Sequence, residues 1–88
     1  MFLAKVVGKI VSTTKDEGLN GKKILIIVPI DMNGAVTGKE IVSIDSVGAG
    51  IGDQVLVTKG SVSMYAFGEN HVPIDSAIVA IIDTIEQS

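Results

Sequence analysis

The chain has 88 residues, a net charge of −3, no cysteine, one histidine, and seven basic residues, all of them lysine. That length supports one small domain, residues 1–88, and the missing thiols exclude a disulfide framework, thiolate metal sites and a cysteine nucleophile. Two Phe, one Tyr, no Trp and no Arg leave neither the basic stripe nor the stacking platforms of a nucleic-acid surface, and no apolar run approaches the roughly 20 residues of a membrane span.

Glycine and Asx residues punctuate five apolar runs. The first, Phe2 to Thr14, opens as Met1-Phe2-Leu3-Ala4-Lys5, without the basic start and cleavage site of a signal peptide, so a cytoplasmic location is expected. Its even positions Phe2, Ala4, Val6 and Ile10 are apolar and are expected to face a core. The odd positions Leu3, Lys5, Val7, Lys9 and Val11 mix aliphatic residues with lysine, the pattern of a half-covered second face. Gly8 interrupts the run where a bend or bulge would let a small sheet curl. A polar loop comes next over residues 15–22, with the turn pair Asn20-Gly21.

The second run, Lys23 to Ile30, is apolar on both faces and ends at Pro29, which donates no ladder hydrogen bond and belongs at an edge or bulge. Asp31-Met32-Asn33-Gly34 turns the chain into the third run, Lys39 to Asp45. The glycine-dense stretch Val47-Gly48-Ala49-Gly50-Ile51-Gly52-Asp53 precedes the fourth run, Gln54 to Lys59. Residues 60–74 are irregular, with room for a single helical turn near Val62–Phe67, and Met64, Tyr65 and Phe67 suit the plug of a barrel mouth. The fifth run, Ala77 to Ile85, is again apolar on both faces.

Five short strands and at most one short helical turn predict an all-β fold, a small five-stranded OB-like β-barrel. Strands apolar on both faces must be covered on both, and the chain has no spare helix to cover them. A second copy is the simplest cover, so a homo-oligomer is expected. Lys5, Val7, Lys9, Ile24, Ile26, Val28, Ile78, Ala80 and Ile82 are its candidate interface residues.

Signs of catalysis are sparse. The carboxylates fall mostly in turns or at strand ends, where solvation explains them. His71 lies in a loop without a serine or carboxylate at a recognisable spacing, and the hydroxyls Ser12, Thr13, Thr14, Ser61 and Ser63 lack a nucleophile-elbow context. Gly48 to Gly52 lead into a strand rather than a helix, and no lysine–serine pair comes after them, so a phosphate loop is disfavoured. The residues therefore point to no enzyme, no cofactor and no metal. Rival readings are an OB-type module for a small ligand or nucleic acid, a small enzyme or regulatory subunit acting inside a complex with His71 and nearby carboxylates as its site, and a non-catalytic subunit of a metabolic enzyme complex.

Four fragments in order carry a further signal. They are Met1-Phe2-Leu3-Ala4-Lys5-Val6-Val7-Gly8, Val11-Ser12-Thr13-Thr14-Lys15 with Leu19 to Leu25, Asp45-Ser46-Val47-Gly48-Ala49-Gly50-Ile51-Gly52-Asp53-Gln54-Val55-Leu56-Val57, and Pro73 to Asp83. Together they resemble the EutN/CcmL family of bacterial microcompartment vertex proteins over nearly the whole chain. The resemblance implies a pentameric ring of OB-like barrels in the shell, within the bacterial cytoplasm. Such rings cap the corners of carboxysomes or metabolosomes whose facets are tiled by hexameric shell proteins. A barrel interface that tolerates a small change in rotation also leaves a six-membered ring open in isolation. By motif match, Gly48, Ala49, Gly50, Gly52 and Asp53 would face neighbouring hexamers. Asp53 stands where the family motif often ends in Glu, and Met64 stands where a small-residue-then-Arg pattern is common, so no role of that arginine carries over.

Overall fold

The computed structural model describes residues 1–13, 19, 21–60 and 75–86. Its five strands are β1 (Phe2–Ile10), β2 (Lys23–Pro29), β3 (Ile41–Asp45), β4 (Gln54–Lys59) and β5 (Ser76–Ile81). They close into a barrel in the order β1-β2-β3-β5-β4, and β4 pairs back onto β1. All neighbours are antiparallel except β3 and β5, which run parallel. Closure leaves no sheet edge open to uncontrolled pairing. Among the described residues there is no α-helix. The helical turn expected near Val62–Phe67 lies outside them.

Alternation along the strands fills the interior. Ala4, Val6, Leu25, Ile27, Ala49, Val55, Val57 and Ile78 form one cluster, each at most 1% exposed, with Phe2 and Ile41 packed against it. Burying a Val, Leu or Ile side chain in this way stabilises by about 1.5–3 kcal/mol. Their branched side chains also suit a pleated surface. Gly34 takes a positive φ of 87° where the β2–β3 connection turns, and its N–H donates to the Asp31 carbonyl at 3.0 Å. The Asp31 carboxylate accepts from the Asn33 and Ala35 N–H groups, which fixes the turn read from Asp31 to Gly34. Pro29 closes β2 beyond the last β2–β3 pair, Ile27 with Ile41, where no donor is needed on that side.

Two one-residue bulges change which side chains face inward. In β1 the ladder passes from Val6↔Ile27 to Gly8↔Ile26, leaving Val7 as the extra residue. Gly8 suits the close approach there: a Cβ at this position would lie 3.2 Å from the Ile26 Cδ1, so that the Ile26 side chain would have to give by a few tenths of an ångström. Directly opposed residues share a face, so the shift reverses the parity of the rest of the strand. Ile10, expected to face the core from its even position, instead pairs with Ile24 on the outer side and is only half-buried. In β5 the ladder passes from Leu56↔Ala80 to Val57↔Ile78, leaving Val79 extra. Ile78, expected at a subunit interface, therefore joins Val57 in the interior at 0% exposure. It has no surface left for a second copy.

Candidate functional site

Filling the interior leaves an apolar band outside. Across β1, β2 and β3 the register aligns Gly8, Ile26 and Val42 in one row, and Ile10, Ile24 and Ile44 in the next. Val42 is 52% exposed and the bulged Val7 is 44% exposed, while Ile24 and Ile26 are half-buried. Lys5 is exposed on the outer face beside this band. Lys9, expected at the interface, is exposed but pairs with the core residue Leu25 after the bulge, and so lies on the inward-facing side of β1 at its end. Ala80, in β5, and Ile82, just after it, are half-buried. Val28 is on the outer face opposite Lys5 but is already covered within the subunit, at 8% exposure. Val42 was not legible as a member of the band, because its place beside Ile26 depends on the β2–β3 register.

The glycine stretch between β3 and β4 forms a loop held at nearly every step. Asp45, at the end of β3, has a side chain only 3% exposed, and its carboxylate accepts the Val47 N–H at 3.1 Å and the Gly48 N–H at 2.9 Å. Lys23, opposite Asp45 in the β2–β3 ladder, places its Nζ 3.6 Å from Asp45 Oδ2 and donates a hydrogen bond to the Ala49 carbonyl. Asp53 Oδ2 accepts the Gly50 N–H at 2.8 Å, and the Asp53 N–H closes a turn onto the Gly50 carbonyl at 3.0 Å. The far end is stitched to β1, with Gly52 N–H donating to the Val6 carbonyl and Val6 N–H to the Asp53 carbonyl, both at 2.9 Å. Gly48 and Gly52 take positive φ values of 83° and 97°, a region other residues enter at a cost.

This geometry sorts the loop residues read from the motif. Gly48 and Gly52 are exposed, and Gly50 and Asp53 are half-buried. Ala49, expected on the contact surface, is fully buried in the core cluster, and Lys23 occupies its carbonyl. Its side chain cannot meet a partner. Ile51 stands at the loop's tip, 69% exposed, at the first central position of the Gly50–Asp53 turn. Motif transfer passed over Ile51, although an aliphatic residue flanked by turn glycines is a signal for such an apolar knob. The Lys23–Asp45 pairing was hidden in the unknown register of two strands.

His71, Met64, Tyr65 and Phe67 lie outside the described residues. Among those described, no three His, Cys, Asp or Glu side chains converge as metal ligands. A groove of about 390 Å³ between the end of β1 and the start of β2 is lined, among the described residues, by Lys9, Lys22, Lys23, Ser12, Gly21 and aliphatic neighbours, with no carboxylate or imidazole among them.

A small barrel with an apolar outer band and a braced glycine loop has close counterparts. The model of the ethanolamine utilisation protein EutN/carboxysome family matches residues 1–83. The bacterial microcompartment shell vertex protein GrpN of Rhodospirillum rubrum is 42% identical over 86 residues, covering 98% of this chain and 97% of that protein. The carboxysome shell vertex protein CcmL of Nostoc sp. PCC 7120 is 44% identical over 86 residues, covering 97% of this chain and 85% of that one. The solved structure described as the GrpN pentameric microcompartment shell protein from Rhodospirillum rubrum superposes with a TM-score of 0.86 at 40% identity, covering 100% of this chain and 99% of that one. Matched along nearly its whole length in sequence and in fold, the chain belongs to the EutN/CcmL family of microcompartment shell vertex proteins.

Proposed function

We propose that this chain is a structural vertex subunit of a bacterial microcompartment shell, that five copies close into a ring, and that the ring does no chemistry of its own. The observation that carries this reading is the apolar band of Val7, Ile24, Ile26 and Val42 on a barrel whose interior is already full. Apolar surface of this kind gains about 25 cal/mol per Å² when it leaves water, and a ring of identical contacts covers it on every subunit once the rotation per step closes. Five-fold relatives set the expected number of copies, since the GrpN structure is described as pentameric. Lys5 borders the band and would belong to the polar rim that such interfaces carry.

The glycine loop is the edge that meets neighbouring shell proteins, with Gly48, Gly50, Ile51, Gly52 and Asp53 as its outer residues. Small residues let another backbone approach closely, and Ile51 gives that edge an apolar anchor. The family resemblance makes the partner a hexameric shell protein tiling the adjoining facet, and the relatives named as shell vertex proteins support a place in the shell within the cytoplasm.

Native mass spectrometry of the purified chain tests the ring. Five times the chain mass is the expected result at micromolar concentration. A stable monomer there would sink the reading, because the band would then be wetted in the working protein.

A further inference from the structure

The bracing of the glycine loop suggests a job for two residues that do not lie on its outer edge. We propose that Lys23 and Asp45 are positioning residues for shell docking: together they hold residues 47–50 in the shape the partner meets, without touching the partner themselves. The proposal rests on the reading of the loop as the docking edge.

Asp45 is nearly enclosed, and a carboxylate withdrawn from water costs free energy unless charge and hydrogen bonds compensate it. Both of its oxygens are engaged, one by the Val47 N–H at 3.1 Å and the other by the Gly48 N–H at 2.9 Å. The third compensation is the Lys23 ammonium, 3.6 Å from Oδ2. The same ammonium also donates to the Ala49 carbonyl. One lysine thus neutralises the carboxylate that orients the first half of the loop and fixes the next peptide unit directly. Charge-assisted bonds of this type are shorter and stronger than neutral ones.

The need for such a device comes from the loop's composition. Glycines allow close approach but sample many backbone conformations, and a partner would have to order them on binding. Gly50 to Asp53 is already closed by its own turn and by β1. The segment from Val47 to Ala49 has the Lys23–Asp45 pair in that role.

The test compares Lys23→Met, Asp45→Asn, Lys23→Arg and the pair of Lys23→Met with Asp45→Asn in the full-length chain, with Gly50→Val as the control for the docking edge. Ring mass comes from native mass spectrometry. Docking is read as binding to a purified hexameric microcompartment shell protein, and loop order from amide exchange at Val47 and Gly48. Lys23→Met and Asp45→Asn are expected to keep the ring, to weaken docking about tenfold, and to speed exchange at both amides by a similar factor. The double variant should fall no further than the weaker single, since both act through one device. Lys23→Arg, which keeps the charge and the donor, should dock within about twofold of the parent. If both single variants dock like the parent while Gly50→Val does not, the positioning role is overturned and the docking edge stands. If Gly50→Val also docks like the parent, the docking edge itself is wrong and this proposal falls with it. Loss of the ring in Lys23→Met or Asp45→Asn would overturn it too, by assigning the pair to barrel or ring stability.

Discussion

Two glycines in the same loop should respond oppositely to the smallest possible change. At Gly52 the φ is +97° and, chain neighbours aside, no atom of the described residues lies within 4 Å of where a Cβ would stand, so an alanine there meets open space among them and suffers from its backbone. A non-glycine residue in that region costs about 1–2 kcal/mol. Gly50 lies outside the positive-φ region, and the nearest atom to its Cβ would be Asp53 Oδ2 at 4.0 Å. Alanine there is unstrained and restricts the unfolded chain, which is worth about 0.4–1 kcal/mol in the stabilising direction. The two variants should therefore differ by about 2 kcal/mol. For a domain of this size that is a gap in Tm of about 8–16 °C. Thermal melts of Gly50→Ala, Gly52→Ala and the parent, followed by circular dichroism at one chain concentration, read it directly, the fixed concentration mattering because assembly adds to apparent stability. If Gly50→Ala melts as early as Gly52→Ala, or if Gly52→Ala melts with the parent, the assignment of backbone roles within the loop is wrong.

Val42→Asp should leave the barrel folded by circular dichroism, since the side chain is 52% exposed, yet reduce the ring to smaller species on sedimentation; an intact ring would remove Val42 from the interface. Thr58 is 5% exposed and its hydroxyl has no hydrogen-bond partner among the described residues. Thr58→Val, which removes that unpaired group while keeping the shape, is expected to leave stability unchanged or to raise it by about 1 kcal/mol, and a clear loss in a denaturant titration would contradict it.

The strands were readable because period-2 alternation and Gly or Asx punctuation act within a few residues. β4 runs from Gln54 to Lys59 as expected, and the first two runs differ from β1 and β2 mainly at their far ends. Single extra residues were not readable. Gly8 marked the bulge in β1, but only the ladder shows that Val7 is the inserted residue and that Ile10 changes sides. In β5 nothing in the run of Ala77 to Ile82 distinguishes Val79, yet its insertion moves Ile78 from the expected interface to the core. Register hid the site in the same way. Lys23 and Asp45 are far apart in the chain and become neighbours only because β2 and β3 pair as they do.

One strand serves both candidate surfaces. Lys23 opens β2 and braces the glycine loop, while Ile24 and Ile26, the next outward residues, belong to the apolar band. β1 repeats the arrangement: Val6 holds Gly52 and Asp53 through its backbone, and the following residue is the bulged Val7 on the band. Any neighbour pressed against Val7 and Ile26 therefore restrains the strand positions from which the loop is hung. Ordering those positions in advance lowers the entropy that docking must still supply. A ring should for that reason present its loops in a narrower range of shapes than a lone barrel, and assembly into the ring should precede tight docking at the vertex. If the band and the loop serve as proposed, the shared strands would impose that order without any further contact between the two surfaces.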